Sequence, residues 1–259
     1  MSNPFRLHAP KPRAIQRDAI ELALDDGTVV HVARVRDPRA RRIKLSVDER
    51  GARLTLPLRA AAGAGDRFVA EHRAWLLSQL REFDCGGLAP LQQGMTGVLP
   101  LRDGSEPLRW EPGRYARLRR ADEGELLFTA PASASAETLR RALRDFYEGE
   151  ARADNGRWMP RYLATQPRAP RQVRFKVMSS QWGSLAPDGS VTLDLSLVLA
   201  RPSAFEYVLV HELCHLLHAD HSPAYWHEVD ARFPAWRAER DWFHEHGRRV
   251  KASLRTLLG

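Results

Sequence analysis

The residues His211-Glu212-Leu213-Cys214-His215 set two imidazoles and a carboxylate close together, and a further imidazole, His221, follows six residues later. Helical residues four apart lie one above the other, so His211 and His215 can reach a single ion at zinc–nitrogen distances of about 2.0–2.1 Å. Glu212 stands about 100° round from His211, at the edge of that face, where it can hold a water as general base and not ligate. The chemistry this spacing points to is metal-dependent hydrolysis. Two ligands are too few, and the third depends on where the helix stops.

On an unbroken helix the six residues to His221 would add about 600° and aim its ring away from the ion. Ser222-Pro223 supplies the break. The residue before a proline is biased out of the α region, and Ser followed by Pro is a good N-cap and first-turn pair for a new helix. The chain is expected to leave the first helix near His218–Asp220 and bring His221 back beneath the ion. Three imidazoles and an open position are the pattern of a catalytic zinc, here one Zn2+ per chain. Two rivals compete for the third place. His218 lies on the same stripe as His211 and His215, but three side chains strung over about 10 Å of straight helix do not converge easily on one ion. It reads as a turn residue or a support behind a ligand. Glu228, on the next helix, is the carboxylate rival, since some zinc peptidases use two His and a Glu. His221 is favoured over both.

Phe205, Val208, Leu209, Leu213, Leu216 and Leu217 make the helix that carries the pair largely apolar. That argues against a polar surface helix, and a buried His-Glu-His group is costly without a cation. Ser203-Ala204-Phe205-Glu206 reads as a capping box after Pro202, so the helix is expected over Ala204–His218. Cys214, between the two helical ligands, reads as a small buried hydrophobe.

Gln181-Trp182-Gly183-Ser184, the strand-like Ser190–Leu199, the motif at 211–215 and His221-Ser222-Pro223-Ala224-Tyr225-Trp226 follow one another in a recognisable order. In this the chain resembles the YgjP-like metallopeptidase-domain family, which is similar to the SprT-like and Spartan zinc proteases. The resemblance extends along most of the chain, including Arg41-Arg42-Ile43-Lys44-Leu45-Ser46-Val47 and Arg240-Asp241-Trp242-Phe243. It implies a zincin-type domain and metal-dependent hydrolysis, without naming a substrate. Gln181 and Leu185 depart from the family's usual Arg-Trp-Gly-Ser-Cys. Zincin domains place a strand beside the metal cleft, and an extended peptide can add to its edge; Ser190–Leu199 is the candidate edge. Trp182, Tyr225 and His227 are candidates for touching substrate, the last two as oxyanion donors.

The elements around this motif follow from the rest of the 259 residues, enough to bury a sizeable core. Ala19–Leu24 and Thr28–Val35 alternate around Asp25-Asp26-Gly27, and Arg42–Val47 and Ala52–Leu58 around Asp48-Glu49-Arg50-Gly51, as hairpins do. Asp66–Phe83 has helical spacing and ends at Cys85-Gly86-Gly87. Short strands are expected at Val98–Leu101, Pro107–Trp110, Tyr115–Arg119 and Glu125–Thr129, the last after a turn at Asp122-Glu123-Gly124. Then come a helix over Ala136–Leu163, bent or split at Gly156 and Pro160, and a strand at Gln172–Val177. Helices follow at Pro223–Phe233 and Ala235–His246, with Gly247 as C-cap. The fold class is α+β: an N-terminal antiparallel β-rich domain with one helix (1–131), then a mainly helical zincin-like domain with a small sheet (132–259).

Composition narrows the setting. Only Cys85 and Cys214 are present, so no disulfide framework is indicated. The first thirty residues have no continuous apolar h-region, and no stretch approaches the ~18 apolar residues of a membrane span. A cytoplasmic monomer without membrane contact is expected. The formal charge is +8, with lysine only at Lys11, Lys44, Lys176 and Lys251. The excess arginine leaves a nucleotide or nucleic acid open as partner, beside a peptide or protein substrate. The densest cluster, Arg34 to Arg42, looks like a hairpin tip but lacks interleaved aromatics. The expected function is a zinc metallopeptidase with Glu212 as base. A metal-dependent nucleotide pyrophosphatase and a nucleic-acid-associated SprT-like protease are the alternatives. A purely structural zinc site would usually supply a fourth protein ligand.

Overall fold

The computed structural model describes residues 15–23, 29–48, 51–61, 63–82, 88–122 and 124–259. Two compact units divide the chain, Met1–Asp84 and Cys85–Gly259. That division differs from the break expected after residue 131. The strands after residue 85 share one core with the long helix that follows them: Leu99, Leu101, Leu126 and Phe128 are buried with Leu139, Leu143 and Tyr147. Residues 129–135, the stretch expected to separate the domains, lie inside one unit, where the Ala134 N–H bonds the Pro131 carbonyl at 3.0 Å.

In the first unit β1 (Gln16–Ala23) pairs antiparallel with β2 (Val29–Asp37), and β3 (Lys44–Asp48) antiparallel with β4 (Gly51–Pro57). The sheet order is β1-β2-β4-β3, because β2 pairs parallel with β4. The Arg34–Arg42 stretch is thus the end of β2 and the start of its crossover to β3, and not a hairpin tip. Arg34 is held by Asp18 at 2.7 Å, and Arg36 by the Ala60 carbonyl at 2.9 Å. The single helix expected after β4 is two, α1 (Ala64–Glu71) and α2 (Arg73–Glu82). At the break the His72 ring Nδ1 bonds the Phe68 carbonyl that its own backbone N–H also uses, a side-chain competition that bends helices. The turn at Asp25-Asp26-Gly27, the stop at Cys85-Gly86-Gly87, and Glu49, Arg50 and Glu123 of two other expected turns lie outside the described residues.

The second unit begins with β5 (Val98–Leu101), β6 (Gly104–Pro112), β7 (Arg117–Arg120) and β8 (Leu126–Ala130), in the order β5-β6-β8-β7. β6 and β8 run parallel, so this sheet too is mixed where antiparallel pairing was expected. α3 (Ala136–Leu163) packs on it and starts at Ser135, whose side chain accepts the Thr138 N–H. It runs unbroken past Gly156 and Pro160: a proline so near the end costs the last turn a bond without splitting the helix. A small sheet follows, β9 (Gln172–Lys176), β10 (Gly183–Leu185) and β11 (Ser190–Asp194), ordered β10-β11-β9.

The strand expected over Ser190–Leu199 stops at Asp194. Its carboxylate accepts the Ser196 N–H at 2.8 Å and starts a 3₁₀ helix, Leu195–Leu199. β11 is the centre of the sheet and not the edge expected; the edges are β9 and β10, and β10 is the one that lines the cleft. Three helices complete the unit: α4 (Pro202–Cys214), α5 (Pro223–Arg232) and α6 (Trp236–Leu258). α6 continues through Gly247, which is not a C-cap. Among the described residues no helix is long and apolar enough to cross a membrane.

Candidate metal centre

α4 is apolar nearly all round, with Ala204, Phe205, Val208, Leu209, Val210, Leu213 and Cys214 buried, which makes it the core helix of its unit. It opens at Pro202 with Arg201 as an N-cap whose side chain makes no capping bond, so the expected capping box is absent. Proline at the first position presets φ and has no N–H to leave unpaired. Glu206 instead accepts from the Tyr162 hydroxyl at 2.6 Å and pairs with Arg161 at 3.0 Å. The regular helix ends at Cys214, four residues early, with His215 as an α-conformation C-cap. Leu216, Leu217 and His218 wind one more turn through bonds to Leu213 and Cys214 carbonyls. The chain then turns, and Ser222 caps α5 by accepting the Tyr225 N–H at 3.4 Å, with Pro223 next.

That turn carries His221 back to the face of His211 and His215. One ligand-type nitrogen from each of the three lies within 4.8 Å of the others. The His211 and His221 Nε2 atoms are 3.1 Å apart; two nitrogens on one tetrahedral zinc stand about 3.3 Å apart. The His215 Nδ1 is 3.0 Å from the His218 carbonyl, an outer contact that turns a ligand ring and leaves Nε2 facing inward. Tyr225 supports the group from behind. It is fully buried, its ring stacks 4.6 Å from that of His215, and its hydroxyl donates to the His211 carbonyl at 3.0 Å. Burial first, then the His215 and His221 imidazoles, push the His211 pKa down to about 3. Neutral imidazoles clustered in this way are the donor set a divalent cation takes. The residues fit the group.

Glu212 is 5% exposed, and burial alone pushes its pKa up to about 8. Its carboxylate lies against the backbone of β10: a Cβ placed on Gly183 would come 2.5 Å from Glu212 Oε1. Any side chain there would force the carboxylate to move. The segment leading to Gly183 is pinned by α6. Buried Lys251 donates to the Gln181 carbonyl at 2.9 Å, the Met178 carbonyl at 3.2 Å and Asp194 Oδ2 at 2.9 Å. Its Nζ also sits 4.2 Å from the centroid of Trp182. Gly247 makes room for that indole, since a Cβ there would meet Trp182 Cζ2 at 2.7 Å.

These walls enclose a cleft of about 850 Å³ lined by β10, Ala186 and Pro187, by His211, Glu212, His215 and His221, and by Arg240, Phe243 and His244 of α6. Trp182 lines it. Tyr225 does not, and His227 is exposed elsewhere. Glu228 pairs with Arg232 and is not in the imidazole group, and His218 contributes its carbonyl. Tyr207, Arg168, Arg240 and His244 also line the cleft; of these only Arg240 falls in a stretch that the sequence singled out, and there with no role at the site. What joins Arg240 to His244 in the sequence is their spacing of one helical turn.

A histidine trio and a buried carboxylate facing an edge strand mark a protein of the metallopeptidase class. The family described as YgjP-like, metallopeptidase domain, matches residues 41–246, and the chain belongs to that family. Among solved structures, the crystal structure of the metallopeptidase zymogen of Pyrococcus abyssi abylysin is similar at 24% identity and a TM-score of 0.31, over 39% of this chain and 96% of that one. No curated protein matches the chain.

Proposed function

We propose that the chain is a zinc metallopeptidase in which His211, His215 and His221 hold one Zn2+ and Glu212 is the general base. The observation that carries this is the trio's convergence within 4.8 Å beside a buried carboxylate in an open cleft. A divalent cation bound there would supply Lewis acidity toward a water and a carbonyl oxygen. Glu212 takes a proton from the attacking water on a carboxylate oxygen and returns it to the leaving amine. Burial raises its proton affinity into the range a base needs near neutral pH, and a cation nearby draws it back down. Gly183 leaves the carboxylate room to stand next to the strand. The outer edge of β10 pairs with no other described strand, and an extended peptide can add to such an edge.

The test measures metal content and hydrolysis of an unfolded protein, with nucleoside triphosphates assayed in parallel, each with and without a chelator. Glu212→Gln is expected to keep one ion per chain and lose about 10²–10⁴-fold in turnover. Unchanged turnover in that variant, or hydrolysis of triphosphates alone, overturns the reading.

A further inference from the structure

The open part of the cleft carries charge of one sign. Its lining includes Arg168, Arg240 and His244, and its one carboxylate, Glu212, is buried. Arg240 and His244 lie one turn apart on α6, at the end of the cleft where Phe243 packs 4.4 Å from Trp182. Arg168 lies beyond the other end of β10, its Cζ 3.8 Å from where a Cβ on Gly189 would stand. The two guanidiniums bracket the edge strand.

Both are exposed, and among the described residues neither has a carboxylate within salt-bridge distance. Nearby arginines on the same segments differ: Arg171 holds Asp188 at 3.1 Å, and Arg237 holds Asp230 at 3.0 Å. Arg240 does lie 5.8 Å from the Trp236 ring centroid, a contact through the guanidinium face that uses none of its N–H donors. Two unpaired five-donor forks in a concave surface are receptors for carboxylates.

We propose that this cleft selects acidic peptide segments. A substrate strand laid along β10 carries Asp or Glu side chains on both sides of the scissile bond, one meeting Arg168 and the other Arg240. The inference rests on the peptidase reading above. A cleft lined by one sign of charge concentrates substrates of the other. Its two-ended layout suits an extended chain better than a compact polyphosphate, which would fill one end.

The experiment uses the full chain and three labelled peptides with one shared core and acidic, neutral or basic flanks. Binding is read by fluorescence anisotropy on Glu212→Gln, and turnover on the unaltered protein. Acidic flanks are expected to tighten binding and lower KM. The preference should shrink as ionic strength rises from about 0.01 to 0.15 M and the Debye length falls from about 30 to 8 Å. Arg168→Ala and Arg240→Ala each cut the preference by roughly fivefold or less, as exposed pairs do. The double charge reversal, R168E with R240E, inverts it, and Arg237→Ala leaves it alone. Equal binding of all three peptides overturns the proposal, and so does a triphosphate that binds where acidic peptides do not. Acidic peptides that bind tightly but are never cleaved leave the charge assignment standing and remove the peptidase reading.

Discussion

Of the buried carboxylates in the second unit, Asp194 and Glu212 both border the Trp182-Gly183 segment, and they are treated in opposite ways. Asp194, 1% exposed, takes the Lys251 ammonium, the Met178 N–H at 2.7 Å and the Ser196 N–H at 2.8 Å, and its own N–H donates to the Trp182 carbonyl. Glu212, 5% exposed, has no hydrogen-bond donor or counter-charge from any described residue. A buried charge is tolerated when paired and otherwise shifts its proton affinity. Asp194 is a fastener whose surroundings are complete. Glu212 is left incomplete in a cleft, which is where perturbed acids that do chemistry are found.

The contrast can be broken at either end. The largest expected effect is on the fastener: Lys251→Met strands the Asp194 charge and should cost about 3–5 kcal/mol in denaturant unfolding. Lys251→Met with Asp194→Leu should recover much of that loss, because replacing a buried pair by apolar groups is often near neutral. If the single variant is as stable as the parent, Asp194 is no more satisfied than Glu212 and the comparison falls.

Next in size is the pH dependence of the metal-free protein. The folded Glu212 pKa is raised to about 8 from its usual 4.5, so its contribution to stability is full below 4.5 and lost as pH rises through 8. The loss has an upper bound of about 5 kcal/mol. His211, pushed down to about 3 from 6.5, acts in the other window, and its contribution is lost as pH falls below 6.5 toward 3. Melting temperatures with chelator present should therefore peak between these limits. Glu212→Gln should flatten the alkaline limb, and added Zn2+ should restore stability there. A smaller effect is expected from Gly183→Ala. Its Cβ must displace the Glu212 carboxylate, at about 1–3 kcal/mol for an overpacked site, with turnover reduced while metal content holds.

What was legible in the sequence was local. The i, i+4 imidazoles and the Ser222-Pro223 cap were readable because each rests on neighbours a few residues apart. The capping box misled because Ser203 and Glu206 have the right spacing while Pro202 takes the first helical position. Ser190–Leu199 keeps its apolar character throughout, but Asp194 captures the Ser196 N–H and ends the strand early. Gly247 looks like a helix stop and is instead the gap that admits Trp182. The Lys251–Asp194 pair is 57 residues apart, and no periodicity announces it. The same holds for Gly183 against Glu212, and for the bracketing of β10 by Arg168 and Arg240.

α6 presents Arg240, Phe243, His244, Gly247 and Lys251 in turn to the cleft and to the segment that walls it. Its far end is anchored by Leu254, Leu257 and Leu258 in the core. One helix, held at that end by the leucines, therefore sets the places of Arg240, of the Trp182 indole and of the carbonyls just before Gly183, so the width of the trench beside Glu212 is fixed by how a single element packs.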